Sequence, residues 1–220
     1  MVIVANSPQW FLGVDSALEI LFFLISIAIA LFSFKIYCYT SKKRYLFFNL
    51  AFVLMAFSFL ARSLTNYLVY GAIQKDISVA AKLAAVSNVY DVGFLIHILL
   101  MLTAYMILIA LSLNIRDVRT LALLFLLVVL ATVISTNIYT IYYIVSAILL
   151  SFILTHFYYN AVTKSSLSAW GVFSAFAVLL LSQGIFLFVQ LNRYMYLLGH
   201  AFQALAYLIL LVVFVMVLRR

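Results

Sequence analysis

The chain has 220 residues, of which 69% are hydrophobic and 8% charged, with a mean hydropathy of +1.28. A soluble domain is about half apolar and about a quarter charged, so this composition leaves little for any soluble domain and describes one lipid-embedded domain over residues 1–220. The net charge of +8 does not point to nucleic acid, because the basic residues cluster at the ends of apolar runs rather than on one face of a soluble fold.

The single Cys38 excludes an intrachain disulfide and any cysteine-based metal cluster. Residues 1–16 have no basic residue ahead of their apolar part, so they make a poor secretory signal and the first apolar run is expected to persist in the mature protein. Pro8, followed by Gln9, Trp10 and Phe11, predicts an interfacial anchor. The first span is predicted at about 16–39, where Ser16 and Glu19 fit a capping box. A basic loop follows, with Lys42, Lys43 and Arg44. The second span, about 45–70, carries Arg62.

The longest connection, 71–87, holds Asp76 as a possible cap for a short amphipathic piece in the interface, with Ile77, Ala80, Ala81 and Ala84 on one side and Lys82 on the other. Ser87 and Asn88 then precede a third span at about 89–113. After a tight turn containing Arg116, Asp117 and Arg119, the fourth span is the shortest, at about 118–135. The fifth is predicted at about 138–160, the sixth at 167–190 and the seventh at 194–218. The expectation is an all-α polytopic membrane protein, a seven-transmembrane-helix bundle in the cell membrane.

Seven crossings put the termini on opposite sides. With the N-terminus outside and the C-terminus cytoplasmic, Lys35, Lys42, Lys43, Arg44, Arg116, Arg119, Lys164, Arg219 and Arg220 fall inside or at the inner boundary. Lys75, Lys82 and Arg193 fall outside, and that asymmetry is what the positive-inside rule requires.

In that orientation the polar residues within spans gather towards the outside. Asp15 and Glu19 begin the first helix, and Arg62 lies about two turns into the second. Asp91 and His97 lie in the third, Gln183 and Gln190 in the sixth, and Tyr139, Tyr142 and Tyr143 in the fifth. Tyr196, His200, Gln203 and Tyr207 recur at spacings of four, three and four, one face of the seventh helix. Lipid cannot satisfy such a stripe, so it faces protein, water or a ligand.

Each of these residues has two readings. Glu19 is a cap or a functional acid, and Asp91 is a first-turn carboxylate facing the helix dipole or a member of a site. Arg62 snorkels to headgroups or forms an ion pair with Glu19 or Asp91; Ser58, Arg62 and Asn66 share one face at i, i+4 and i+8, which favours the pair. His97 and His200 are interhelical hydrogen-bond partners or a pair able to hold a haem, whereas a catalytic zinc site calls for three protein ligands. Neither a metal nor a cofactor is assigned.

The architecture is similar to that of rhodopsin-like proteins, but the seventh helix has no lysine for a retinal Schiff base. No His-Glu-x-x-His, Gly-x-Ser-x-Gly or phosphate-binding glycine loop occurs. Six glycines and one proline leave few places for the broken helices of secondary transporters.

The segment Leu198-Gly199-His200-Ala201-Phe202-Gln203-Ala204-Leu205-Ala206-Tyr207, with Arg219 and Arg220 after it, resembles the last helix of multi-helix membrane sensor regions in prokaryotic signalling proteins. Those regions normally continue into a cytoplasmic kinase or cyclase domain, and the sequence ends at Arg220. The resemblance therefore implies a stand-alone sensory or ligand-binding module with Gly199, His200 and Gln203 near its site.

The leading expectation is a non-enzymatic membrane protein that binds a small or lipidic ligand, or a partner's membrane helix, in an outward-facing polar pocket. Its expected residues are Arg62, Asp91, His97, Gln183, His200, Gln203 and Tyr207. Its expected partners are membrane lipids, a small apolar ligand, and a membrane-protein partner or second copy, with no nucleic acid. The alternatives are a channel or facilitator for a small solute and a structural subunit of a larger membrane assembly.

Overall fold

The structure, a computed structural model, describes residues 14–74, 79–115, 117–192 and 194–218. The expected anchor at Pro8 and Trp10, the Asp76 cap, and Lys75, Arg116, Arg193, Arg219 and Arg220 lie outside the described residues. Seven helices make up the described chain: α1 (Val14–Thr40), α2 (Lys43–Gln74), α3 (Val79–Leu113), α4 (Val118–Val133), α5 (Ile138–Lys164), α6 (Leu167–Leu187) and α7 (Tyr194–Leu218).

Six of these are long and apolar enough to cross a membrane. The exception is α4, whose 16 residues extend about 24 Å at ~1.5 Å each, less than a hydrocarbon core of about 30 Å. The expected span over 118–135 is a helix two residues shorter, ending at Val133 with Ile134 as its C-cap.

The helix ends follow local chemistry. With few glycines available, Ser41, Asn114 and Ser165 take the left-handed conformation (φ 53°, 54° and 47°) just after α1, α3 and α5. The amides of Ser41 and Ser165 close back on Tyr37 and Ala161 at 2.8 and 2.9 Å, which satisfies carbonyls the helix leaves open. Asn137 and Ser166 cap α5 and α6 by accepting from the amides of Thr140 and Ala169, and Asp117 caps α4. The Asp117 carboxyl is held below the usual carboxylate range, first by the Thr120 hydroxyl and then by the amides of Arg119 and Thr120.

Two expected boundaries move. The short interfacial piece predicted over 77–84 is not separate, because from Val79 onwards the backbone is continuous with α3. The alanines there are strong helix formers, and neither Gly nor Pro interrupts the run through Ser87 and Asn88. At the other end of the bundle α6 stops at Leu187, so Gln190 lies in the turn before α7 and donates to Thr140 Oγ1 on α5 at 3.3 Å.

The helices form a closed ring. α1 packs on α2, α2 on α3, α3 on α5, α5 on α6, α6 on α7, and α7 back on α1, whereas among the described residues α4 packs only on α3 and α5. α4 therefore lies outside the ring. Leu123, Leu126, Leu127, Leu130 and Ile134 on or just after it are exposed, and Thr132 is buried. The ring's outer surface is equally apolar, with Leu31, Phe57, Leu64 and Phe152 exposed, as expected where the solvent is lipid. Inside the ring, Phe22, Phe52, Met55, Tyr105, Phe176 and Tyr207 are fully buried.

α2 and α3 come close at Gly93 of α3. A Cβ built there would lie 2.7 Å from Thr65 Cβ of α2, and closer still to its hydroxyl. Gly93→Val is therefore expected to cost about 1–3 kcal/mol through overpacking, read as a lower thermal midpoint of the purified protein in detergent. An unchanged midpoint would show that α2 and α3 do not cross so tightly.

Candidate functional site

Each of the six ring helices contributes two side chains to a single interior chamber. Glu19 and Phe22 come from α1, Phe59 and Arg62 from α2, and His97 and Met101 from α3. Tyr142 and Tyr143 come from α5, Gln183 and Phe186 from α6, and His200 and Gln203 from α7. The lining encloses about 270 Å³ of non-atom space, but the centre of a water molecule can range over only about 10 Å³ of it. That is room for about one water.

The chamber is organised by Arg62. Its Nε lies 2.8 Å from Glu19 Oε1 in an ion pair, with the Glu19 side chain 1% exposed. The second carboxylate oxygen, Oε2, accepts from Asn66 Nδ2 at 3.0 Å, and the same amide reaches Asp15 Oδ2 at 3.4 Å. Arg62 Nη1 points the other way, to His97 Nε2 at 3.4 Å and the Tyr143 hydroxyl at 3.5 Å, and the guanidinium lies 5.7 Å from the centre of the Phe94 ring.

This resolves the alternatives at Glu19 and Arg62. α1 is already helical at Val14, so Ser16 and Glu19 lie within the helix rather than at a capping box, and Glu19 is the partner of Arg62. Asp91 is not: it is exposed and does not line the chamber. A helix that runs on through 79–113 turns Asp91 to the outside while His97, six residues later, turns in.

The protonation of His97 follows from its neighbours. An arginine N–H can only donate, so Nε2 is an acceptor and the proton sits on Nδ1. Nδ1 lies 2.7 Å from Ser58 Oγ and 3.3 Å from the Ser58 carbonyl, and the Ser58 hydroxyl in turn donates to the His97 carbonyl at 3.0 Å. The Ser58–His97 distance is that of a nucleophile and its base, yet the directions are wrong for that role. The ring donates to the serine, and the serine's own proton is committed to the main chain.

His200 sits in an aromatic box, stacked at 6.3 Å and 15° on Phe22, with Phe186 and Tyr196 edge-on at 5.2 and 4.6 Å. Gly199 permits this, since a Cβ there would lie 2.7 Å from the Phe186 ring. Tyr196, His200, Gln203 and Tyr207 are all buried, as the stripe on α7 predicts. Tyr207 lies about one turn below the chamber, packed on Phe22 and Phe59 at 5.5 and 5.4 Å, with its hydroxyl against Met55 Sδ at 3.7 Å.

Gln183 is 2% exposed, and its only hydrogen-bond partner among the described residues is Ser182 Oγ, at 3.5 Å from Nε2. Its Oε1 is buried with no partner among them. Whichever way the amide is turned, one polar end faces the chamber unsatisfied. Buried polar atoms are rarely left so.

Among the described residues there is no group of three or more His, Cys, Asp or Glu placed to hold a metal ion. Sequence reasoning missed Phe22, Phe59, Met101 and Phe186 as chamber walls. It had a signal for Glu19: Asp15, Glu19, Ser26 and Ser33 repeat on one face of α1, and all are buried. Comparison with protein-family models, with curated proteins and with solved structures finds no match to this chain.

Proposed function

We propose that this chain is a receptor-like, non-enzymatic multi-pass protein of the cell membrane, which takes the polar end group of a small or lipidic ligand into the Arg62 chamber. One observation carries the reading: the buried, unsatisfied amide end of Gln183 faces the same enclosed space as Arg62, His97, His200 and Gln203. A group that both donates and accepts hydrogen bonds would satisfy that amide and meet the others. The space fits one water, so a ligand tail lies between helices rather than in the chamber, or the ring opens to admit it.

The N-outside, C-cytoplasmic orientation belongs to the same proposal. The early residues of α1, α5 and α7, the late residues of α6 and the middle of α2 and α3 line the chamber, and at the opposite end the late residues of α3 and α5 meet the first residues of α2. α3 and α5 thus run in the same direction, and α4 returns the chain between their ends, giving seven crossings despite its length. Lys35, Lys42, Lys43, Arg44, Arg119 and Lys164 all lie at the end away from the chamber, and the positive-inside rule then supports a chamber in the outer half. About one turn below it, Met55, Tyr105 and Tyr207 are fully buried. Such a floor favours a dead-end pocket over a conduit.

The test is the organic extract of the purified protein, compared by mass spectrometry between wild type and two variants, Gln183→Leu and His200→Ala. A component retained by wild type and lost from both, with insertion and helicity intact, is the expected result. If nothing is retained by wild type while both variants insert and assemble normally, the binding reading fails.

A further inference from the structure

A second cavity lies at the opposite end of the bundle, where no site was expected. It is a cleft with about 860 Å³ open to water centres, against about 10 Å³ in the chamber. The start of α2, the end of α3, the α3–α4 turn, the start of α4 and the late part of α5 enclose it. It exists because α4 stands outside the ring and, among the described residues, touches only α3 and α5, leaving a gap beside α2.

The walls have two characters. Phe47, Ile107, Leu111 and Leu121 make one side apolar, while Lys43 and Arg44, beside His156, make the other basic. Arg44 Nη2 donates to His156 Nε2 at 3.1 Å across the gap between α2 and α5. Arg44 is exposed and His156 half-buried, so a neutral imidazole, accepting at Nε2, holds the guanidinium at the mouth and keeps its Nδ1–H to donate. The one acid among the described lining residues is Asp117, and its oxygens already accept from the Arg119 and Thr120 amides and the Thr120 hydroxyl. Its oxygens are thus turned to the start of α4, and with Lys43 and Arg44 against this one carboxylate the described lining keeps a net charge of +1.

We infer that this cleft is a binding site for an anionic phospholipid, with the phosphate headgroup against Lys43, Arg44 and His156 and an acyl chain along Phe47, Ile107 and Leu111. Charge complementarity selects an anion, and the adjoining apolar wall selects one that carries a hydrocarbon tail. The basic end of the bundle is the end the positive-inside rule assigns to the cytosol, where anionic lipids concentrate and basic pockets between helices take their headgroups. The site is separate from the Arg62 chamber and does not depend on the function proposed for it.

The experiment is native mass spectrometry of the full chain in detergent, titrated with phosphatidylglycerol or with phosphatidylcholine of the same acyl chains. Wild type is expected to retain the anionic lipid in preference to the zwitterionic one. The double variant Lys43→Gln/Arg44→Gln should lower that retention by roughly fivefold for each charge removed, the scale of one basic residue beside an anionic surface. Arg44→Lys keeps the charge and should keep most of the binding, and Lys35→Gln, exposed on α1 at the same end, should match wild type. Equal retention of the two lipids by wild type would overturn the inference without recourse to any variant. So would an equal loss in Lys35→Gln, which would reveal only general surface charge. Displacement of phosphatidylglycerol by inorganic phosphate at the same concentration would also overturn it, because the site would then be one for a small anion.

Discussion

Arg62→Ala is expected to be among the most destabilising single substitutions in the chain, at about 3–5 kcal/mol, because it leaves Glu19 buried without its counter-charge. For a chain of this size that corresponds to a fall of roughly 10 °C in the thermal midpoint. The cause is local and specific. Glu19 Oε1 has Arg62 Nε at 2.8 Å, and its side chain is sealed from solvent. Asn66 donates to the other oxygen and to Asp15, but an amide brings no positive charge.

The informative comparison is the double variant Glu19→Gln/Arg62→Met. Removing both charges leaves neither buried alone, so the pair should be far less destabilised than the sum of the two single variants. Strictly additive losses would mean that the two side chains do not interact as the geometry requires. Arg62→Ala is also a poor probe of ligand binding, since it disturbs the bundle itself. That is why Gln183 and His200, which hold no such charge, are the better positions for the functional test.

Phe59→Ala is the second large loss, expected at about 3–5 kcal/mol for a fully buried aromatic ring. Phe59 is wedged edge-on between Phe22 at 5.3 Å and Tyr207 at 5.4 Å, with His97 at 6.2 Å. It is the wall between the polar chamber and the apolar floor, so its removal joins two spaces that the native packing keeps apart. Denaturation of the variant in detergent measures the loss. Phe59→Leu, which keeps most of the volume, should recover a large part of it. A cost below about 1 kcal/mol for the alanine variant would mean that neighbouring rings collapse into the gap, and the floor would then be softer than the ring contacts indicate.

The two sites divide the bundle by chemistry. The chamber is enclosed, and its one formal cation is matched by a carboxylate at contact distance. The cleft is wide and basic, and it is open beside α4. An end group recognised by hydrogen bonds suits the first and an anionic amphiphile suits the second. The mass-spectrometric tests separate them, since Gln183 and His200 belong to one site and Lys43 and Arg44 to the other.

Much of the chamber is legible in the order of residues alone. The stripe Tyr196, His200, Gln203 and Tyr207 and the face Ser58, Arg62 and Asn66 are set by helical periodicity, a local property that neighbours do not alter. Which acid Arg62 takes is not local. Glu19 and Asp91 both sit near expected helix starts, and only the true starts of α1 and α3 turn one carboxylate inward and the other out. Nor does an apolar run say whether it packs on protein or on lipid, because both are equally apolar to it.

The amino-acid sequence by itself thus determined the helices, most of their ends and the polar faces of α2 and α7, since each depends on residues within a few turns. Only the tertiary structure decided that α4 stands outside a six-helix ring, that Glu19 rather than Asp91 meets Arg62, and that a basic cleft opens beside α2. Those outcomes depend on which surfaces meet across distant parts of the chain, and no local pattern encodes that choice.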